Sequence, residues 1–194
     1  MDGVLADIIA ELREEILASR APGWPPDAPL TFLRGLPPQT VGTKFGTELV
    51  RRILQRDSIV CWKAGTRLYD IVISLDRKTD GTRIEVKCST ELPARRFQQV
   101  RDPRPDEASG RWRYDCLVCL GVSPDNVSFW FIDAREVAEL IDDGIIKIQH
   151  SDSETNWFFP NEDYENCPFR EYLVDREQLV AAVKGTSPHR GSEK

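Results

Sequence analysis

The segment from residue 67 to 90, RLYDIVISLDRKTDGTRIEVKCST, constrains the fold of this chain more than any other. Two runs of alternating apolar residues flank a polar turn that ends in Asp-Gly, a pattern typical of a β-hairpin. The apolar residues predicted to share one face are Tyr69, Ile71, Ile73 and Leu75 on the first strand and Ile84, Val86 and Cys88 on the second. Pairing these faces sets Asp70 opposite Glu85, with Lys87 two residues further on the same polar face.

Two carboxylates placed opposite each other repel unless a cation lies between them. Lys87 could serve in part, but a divalent metal held by Asp70 and Glu85 is the stronger interpretation. The backbone carbonyl of Val86 lies on the same strand edge and is a further candidate ligand. The plain alternative is a solvated strand face on which Glu85 and Lys87 form a chance salt bridge.

Tyr69-Asp70, fourteen intervening residues and Glu85-Val86-Lys87 resemble the active site of the PD-(D/E)XK nuclease superfamily, the restriction-endonuclease-like proteins. Tyr69 stands where the family has a proline. The resemblance covers roughly residues 41–133 and implies an αβββαβ core, a mixed sheet flanked by helices. The sequence pattern alone predicts only an α/β or α+β fold with a mixed sheet.

The resemblance implies a Mg²⁺-dependent DNA endonuclease, a hydrolase of phosphodiester bonds in which Mn²⁺ can substitute. Asp70 and Glu85 would bind the metal, and Lys87 would hold the attacking water and the scissile phosphate, as general base or as electrostatic anchor. We expect a sequence-specific type II restriction enzyme that acts on double-stranded DNA as a homodimer, because cutting both strands needs two active sites. A cognate DNA methyltransferase is then expected as a genomic neighbour. The alternatives are a repair, junction or phage-defence nuclease of the same fold, a non-catalytic DNA-binding module, or a protein-interaction domain with a chance motif.

A helix is predicted over residues 41–55, with Phe45, Leu49, Ile53 and Leu54 toward the core. Glu48 on this helix has two interpretations. Its spacing from the nearby basic residues predicts a surface ion pair. The resembled family often carries a catalytic glutamate on this helix, facing the metal site, and Glu48 matches that position.

A short helix is predicted over residues 94–101, with Phe97 and Val100 buried. It is expected to contact phosphates and to help position the active site, and the plain alternative is a solvated helix surface. Its candidate DNA-binding residues are Arg95, Arg96, Gln98, Gln99 and Arg101. A second candidate is the polar loop before Trp157, which could read base edges or be an ordinary surface turn. Its candidate DNA-binding residues are His150, Ser151, Ser153 and Asn156.

The composition bounds the class of protein. The net charge of −6 counts against a protein that coats nucleic acid nonspecifically, although an acidic cleft with a local basic rim is compatible with a nuclease. Five cysteines, an odd number, favour a reducing compartment over a disulfide framework, and the N-terminus does not resemble a secretory signal. No apolar run is long enough to span a bilayer, so a cytoplasmic location is expected.

Cys116 and Cys119 are three residues apart on a predicted strand, so they are expected on opposite faces as core residues rather than as metal ligands.

Three regions are predicted along the chain. Residues 1–40 hold an amphipathic helix (3–19), which packs on the body or mediates dimerisation, and a proline-rich connector. Residues 41–185 form the nuclease domain, in which further strands are expected at 57–64, 113–122 and 127–133. Helices are expected at 134–143 and 175–184, and short strands between them. Residues 186–194 are predicted to be a disordered tail.

Overall fold

A six-stranded mixed sheet forms the centre of the protein. The computed structural model describes residues 24–25, 27–33, 36–75, 81–90, 96–105, 110–148, 155–158 and 167–188. The strands in chain order are β1 (Cys61–Lys63), β2 (Ile71–Ile73), β3 (Thr82–Ser89), β4 (Phe97–Arg101), β5 (Cys116–Val122), β6 (Val127–Asp133), β7 (Lys147–Ile148), β8 (Thr155–Phe158) and β9 (Leu173–Val174). The central sheet has the order β1-β2-β3-β5-β6-β9, and only β3 and β5 run parallel.

The predicted hairpin is confirmed. Strands β2 and β3 pair antiparallel with Ile71 opposite Ile84, which is the register that the apolar alternation predicts. Gly81 precedes β3 where the chain folds back, and a Cβ atom there would lie 1.7 Å from the Ile73 carbonyl oxygen. Glycine is therefore required at this end of the turn.

Three of the predicted helices of the domain, those expected at 41–55, 134–143 and 175–184, are also confirmed. A helical turn at Pro38–Thr40 and a π-helical segment at Val41–Gly46 lead into α1 (Thr47–Arg56). Helices α2 (Ala134–Asp142) and α3 (Arg176–Gly185) each begin at an aspartate that forms a capping box. Short 3₁₀ turns lie at Thr31–Leu33 and Arg170–Tyr172.

The helix predicted over residues 94–101 is wrong. Phe97–Arg101 is a strand, β4, in a second sheet of order β4-β8-β7. Phe97 pairs with Phe158 but Val100 pairs with Asn156, so β4 contains one extra residue, a β-bulge. The bulge changes the spacing of inward residues from two to three, and over five residues that spacing imitates a helical period. The αβββαβ core therefore lacks its second helix among the described residues, while the α+β class with a mixed sheet is confirmed.

Two apolar clusters lie on opposite faces of the central sheet. Helices α1 and α3 cover one face, where Ile71, Ile84 and Val86 pack with Leu54 and Leu179. The second sheet and α2 cover the other face. The larger side chains of that cluster include Phe97, Tyr114, Trp130, Leu140 and Phe158. The molecule therefore has three layers, and strand β5 contributes apolar side chains to both interfaces.

Most of the predicted faces are confirmed. Cys116 and Cys119 belong to opposite clusters and both are fully buried, as expected of core cysteines. Leu75 is wrong, because it is 87% exposed. Tyr69 is also wrong, because it packs in the cluster that faces the second sheet. The regular pleat of β2 begins at Ile71, so the alternation does not extend back to Tyr69.

The described part of the chain contains no helix long and apolar enough to cross a membrane. The amphipathic helix predicted at 3–19 and residues 189–194 of the predicted tail lie outside the described residues. The proposed division into a connector, a domain and a tail stays a prediction.

Gly46 allows the π-helical segment to lie against β3. A Cβ atom at Gly46 would be 2.8 Å from Cys88 Cβ, whereas one at Gly42 would have no atom within 4 Å. We expect Gly46→Ala to lower the free energy of unfolding by about 1–3 kcal/mol, because the added methyl group forces the π-helical segment and strand β3 apart. Gly42→Ala is the matched control and should be neutral or stabilising by up to about 1 kcal/mol. Urea denaturation measures both; equal stabilities for the two variants would contradict this close packing.

Candidate active site

Asp70 and Glu85 lie beside each other where strands β2 and β3 begin to separate. The Asp70 N–H donates to the Ile84 carbonyl oxygen at 2.9 Å, which continues the antiparallel register up to Asp70. Two residues further along β3, the Val86 N–H donates to Asp70 Oδ2 at 2.9 Å. The Asp70 side chain thus satisfies a strand N–H, and this bond fixes the carboxylate next to Glu85.

Glu85 is buried, which overturns the alternative of a solvated strand face. Only 5% of the residue is exposed, and Lys87 Nζ lies 2.5 Å from its Oε1 atom. Burial raises the pKa of Glu85 to about 7, and the nearby negative charge of Asp70 acts in the same direction. Lys87 and Arg101 oppose this rise, but they do not cancel it. The ion pair predicted as a chance surface contact is therefore a largely buried pair.

A cavity of about 880 Å³ adjoins these residues. Its described charged lining consists of Asp70, Glu85, Arg67, Lys87, Arg96 and Arg101. Four cations and two anions give this cavity a net positive lining, although the whole chain has a net charge of −6. Such a site favours a polyanion whose negative groups approach the arginines while a cation bridges the carboxylates.

Strand β4 and its bulge supply one wall of the cavity. Arg96, Gln98, Gln99 and Arg101 all line it, so the structure brings these predicted residues to the acidic pair, on a strand rather than a helix. Gln99 has φ of +56°, in the left-handed region that few side chains other than those of asparagine and aspartate adopt readily. The bulge thereby turns Gln99 outward, between the buried Phe97 and Val100.

Tyr114 anchors β4 beneath the cavity. Its hydroxyl donates to the Arg101 carbonyl oxygen at 2.6 Å, and the residue is fully buried. Burial raises the pKa of Tyr114 well above its ordinary value, with the charge of Glu85 acting in the same direction. The hydroxyl therefore stays protonated and keeps its bond to β4.

Glu48 is not brought to the cavity, so the prediction that it faces the metal site is wrong for this structure. Arg51 and Arg52 engage its carboxylate, with Nε of Arg52 2.6 Å from Oε1, and these bonds lower the pKa of Glu48 to about 2. The surface ion pair that its spacing predicts is the arrangement found. The same helical region instead presents Gln39, Thr43 and Thr47 to the cavity.

This polar stripe was not among the residues predicted from the sequence. Gln39, Thr43 and Thr47 recur every four residues, so they share one helical face, and that spacing could have identified them. The hydroxyl of Thr47 donates to the Gly42 carbonyl oxygen, five residues back, which also accepts the backbone N–H of Thr47. Arg67, also missed, is close in sequence to Asp70.

The second group of predicted DNA contacts has a mixed outcome. Arg95, His150, Ser151 and Ser153 lie outside the described residues. Asn156 is in strand β8 rather than in a loop, is 5% exposed, and donates through Nδ2 to the Val100 carbonyl oxygen. The Asn156 side chain thus links two strands of the second sheet, and its buried position does not fit a contact with base edges.

Within the described part of the chain, no three His, Cys, Asp or Glu side chains come together as a metal-binding group. The donor set at the cavity consists of the carboxylates of Asp70 and Glu85 and the backbone of Val86. Magnesium is commonly held by one or two carboxylates together with waters and substrate phosphate oxygens. Two carboxylates in a cationic cavity fit that mode, and they do not fit an all-protein metal cage.

No protein-family model and no curated protein matches this chain. Among solved structures, the bacterial homing endonuclease I-Ssp6803I is similar with a TM-score of 0.46 and 9% sequence identity. The likeness covers 74% of this chain and 93% of that one. At this level of similarity, only the chain's own side chains carry information about its chemistry.

The burial of Glu85 makes stability fall as pH rises. Because its folded pKa is about 7 and its ordinary value 4.5, the folded state binds more protons than the unfolded state between these values. Burial of Glu85 therefore does not lower the free energy of unfolding below about pH 4.5, where the carboxyl group is protonated. Above pH 7, where the group is charged, burial lowers the free energy of unfolding by on the order of 3 kcal/mol. We expect Glu85→Gln to gain stability relative to wild type as pH rises from 5 to 8.

Urea denaturation in EDTA at several pH values measures this difference. The exposed Glu139 supplies a matched variant, Glu139→Gln, whose difference from wild type should stay constant over the same range. A Glu85→Gln difference that is equally flat would show that Glu85 is solvated.

Proposed function

We propose that the chain is a Mg²⁺-dependent DNA endonuclease that hydrolyses phosphodiester bonds. The observation that carries this proposal is the placement of Asp70 beside the buried Glu85, with Lys87 paired to it, in a cavity whose lining is net positive. A purely structural ion pair would not need two carboxylates, nor three arginines around the same opening.

Asp70 and Glu85, with the backbone carbonyl of Val86, would hold Mg²⁺ or Mn²⁺. The bound metal would supply Lewis-acid stabilisation of the phosphate charge and a more acidic water. The raised pKa of Glu85 suits this role, because the site costs energy when both carboxylates are charged and no cation bridges them. Metal binding and proton binding at Glu85 then compete, so a higher Mg²⁺ concentration should support function at lower pH.

The chain's own residues orient the substrate. Lys87 is the cation next to the acidic pair, and it would hold the attacking water and a phosphate oxygen when Glu85 turns to the metal. Arg67 and Arg101 would bind the phosphates on either side of the cut, and Arg96 a phosphate further along the strand, since a guanidinium group can donate two hydrogen bonds to one phosphate. Tyr114, through its bond to the Arg101 backbone, keeps this wall in place.

We further propose that the substrate is double-stranded DNA and that the enzyme is a sequence-specific type II restriction endonuclease. Each chain contributes one such cavity among its described residues, so cutting both strands calls for a homodimer. A neighbouring DNA methyltransferase gene would support restriction over repair, junction cleavage or phage defence. The Gln98 and Gln99 side chains at the bulge are candidate base contacts, since an amide can donate to and accept from adenine.

Plasmid cleavage tests the catalytic assignment. With Mg²⁺ or Mn²⁺ we expect cleavage by the wild type, and EDTA should abolish it. Asp70→Asn, Glu85→Gln and Lys87→Ala should each lower the rate by at least about 100-fold, the usual cost of losing an acid–base or charge-stabilising group. The control is Lys63→Ala, an exposed lysine on β1 outside the cavity. Full activity in EDTA, or in the Lys87 variant with a normal fold, would refute the mechanism.

A further inference from the structure

Two cations lie over one aromatic ring next to the cavity. The guanidinium carbon of Arg96 is 4.8 Å from the centroid of the Trp157 ring, and Lys147 Nζ is 5.8 Å from it. Cation–π contacts operate up to about 6 Å. Because the indole is uncharged, it holds both side chains in place without neutralising either charge.

These residues share the outer face of the second sheet. In β8, Asn156 and Phe158 are buried toward the core, and Trp157 between them is only half-buried. Lys147 on β7 pairs directly with Trp157, so the two side chains lie on the same face. Lys147 is itself exposed to solvent.

The same face continues into the cavity. Thr155 on β8 pairs with Arg101 on β4, and both residues line the cavity. Thr155 and Trp157 are two residues apart on one strand, so they share a face and are separated by about 7 Å. Strand β7 adds roughly another 5 Å across the sheet. The ring and its cations therefore form a continuation of the cavity rim.

We propose that Arg96, Lys147 and Trp157 form a second phosphate-binding surface, which holds the backbone of duplex DNA two to three nucleotides from the cut. This inference rests on the proposed function, since it takes DNA as the substrate of the cavity. One strand of duplex DNA carries a phosphate about every 3.4 Å along the axis. A surface within roughly 10 Å of the cavity, by the strand spacings above, thus meets the next few phosphates on the same strand.

The chemistry favours phosphates over bases at this surface. Two cations already lie over the Trp157 ring, so the ring acts as their support rather than as a stacking platform for a nucleobase. A guanidinium that stacks on an aromatic face keeps the N–H groups at its edge for donation to phosphate oxygens. A chain of net charge −6 that groups cations beside an acidic pair is also expected to bind a polyanion at that place.

The test is the salt dependence of DNA binding in EDTA, where no cleavage occurs. Fluorescence anisotropy of a labelled mixed-sequence duplex is measured at several NaCl concentrations with wild type, Lys147→Ala, Lys147→Arg, Trp157→Phe and Trp157→Leu. Lys63→Ala is the matched control on β1. We expect Lys147→Ala to weaken binding several-fold and to reduce the slope of log K against log salt by about 1, the value for one lost phosphate contact. Lys147→Arg should restore the slope.

Trp157→Leu should weaken binding too, whereas Trp157→Phe, which keeps an aromatic ring, should weaken it less. The Lys147→Ala/Trp157→Leu double variant should lose less than the sum of the single losses, since the ring acts through the lysine. An unchanged slope in Lys147→Ala would overturn the proposal. The same titration on a labelled single strand gives a second test. If Trp157→Leu weakens binding to the single strand but not to the duplex, the ring stacks on bases and the proposal is overturned. Cleavage with Mg²⁺, measured separately, tests the proposed function. If the protein cuts no DNA but Lys147→Ala still reduces the salt slope, the phosphate-binding surface is supported and the endonuclease function is refuted.

Discussion

A buried ion pair between Arg83 and Asp115 fixes the register on which the site depends. The Arg83 side chain donates to both oxygens of the fully buried Asp115 carboxylate, at 2.9 and 3.0 Å, and each backbone N–H donates to the other residue at 2.8 Å. These bonds lie where the parallel strands β3 and β5 begin, one residue before Ile84 pairs with Cys116. A slip of one residue would turn Glu85 to the helical face. Because removal of one partner from such a pair leaves an unpaired buried charge, it costs about 3–5 kcal/mol.

That register places the acidic pair between two sheets rather than on an open surface. Strand β4 lies over the face of β3 that carries Glu85, and Tyr114 holds β4 there. The consequence is electrostatic: a carboxylate that would titrate near 4.5 in water has a pKa of about 7 in this position. The cavity is therefore built at a cost in stability, which is the arrangement expected where a charged ligand is to be bound. Arg101, on the covering strand, brings positive charge to the same place.

The sequence was sufficient where the signal is local. The alternation in the hairpin predicts both its register and the proximity of Asp70 to Glu85, and the period of the helices predicts α1, α2 and α3. Prediction from the sequence was wrong where a partner far away in the chain determines the local structure. Phe97 and Val100 have a helical spacing only because a bulge opposite Trp157 adds a residue to β4, and β8 is far away in sequence. Asn156 was assigned wrongly for the same reason, because its bonding partner, the Val100 carbonyl oxygen, is 56 residues away. For Glu48 the local spacing predicts the ion pair that is found, and the expectation that is wrong came from the family resemblance.

Binding of a metal by Asp70 and Glu85 together is the claim on which the chemistry depends, and it can be measured without DNA. Titration of Mn²⁺, followed by electron paramagnetic resonance, should reveal a bound ion that Mg²⁺ displaces. Its affinity should fall at least about tenfold in Asp70→Asn and in Glu85→Gln, because the loss of even an outer-shell partner of a metal ligand typically costs about 10–100-fold in affinity. Glu48→Gln, whose carboxylate is engaged by two arginines outside the cavity, should bind Mn²⁺ as the wild type does. Undiminished Mn²⁺ binding by the Glu85 variant would contradict the account.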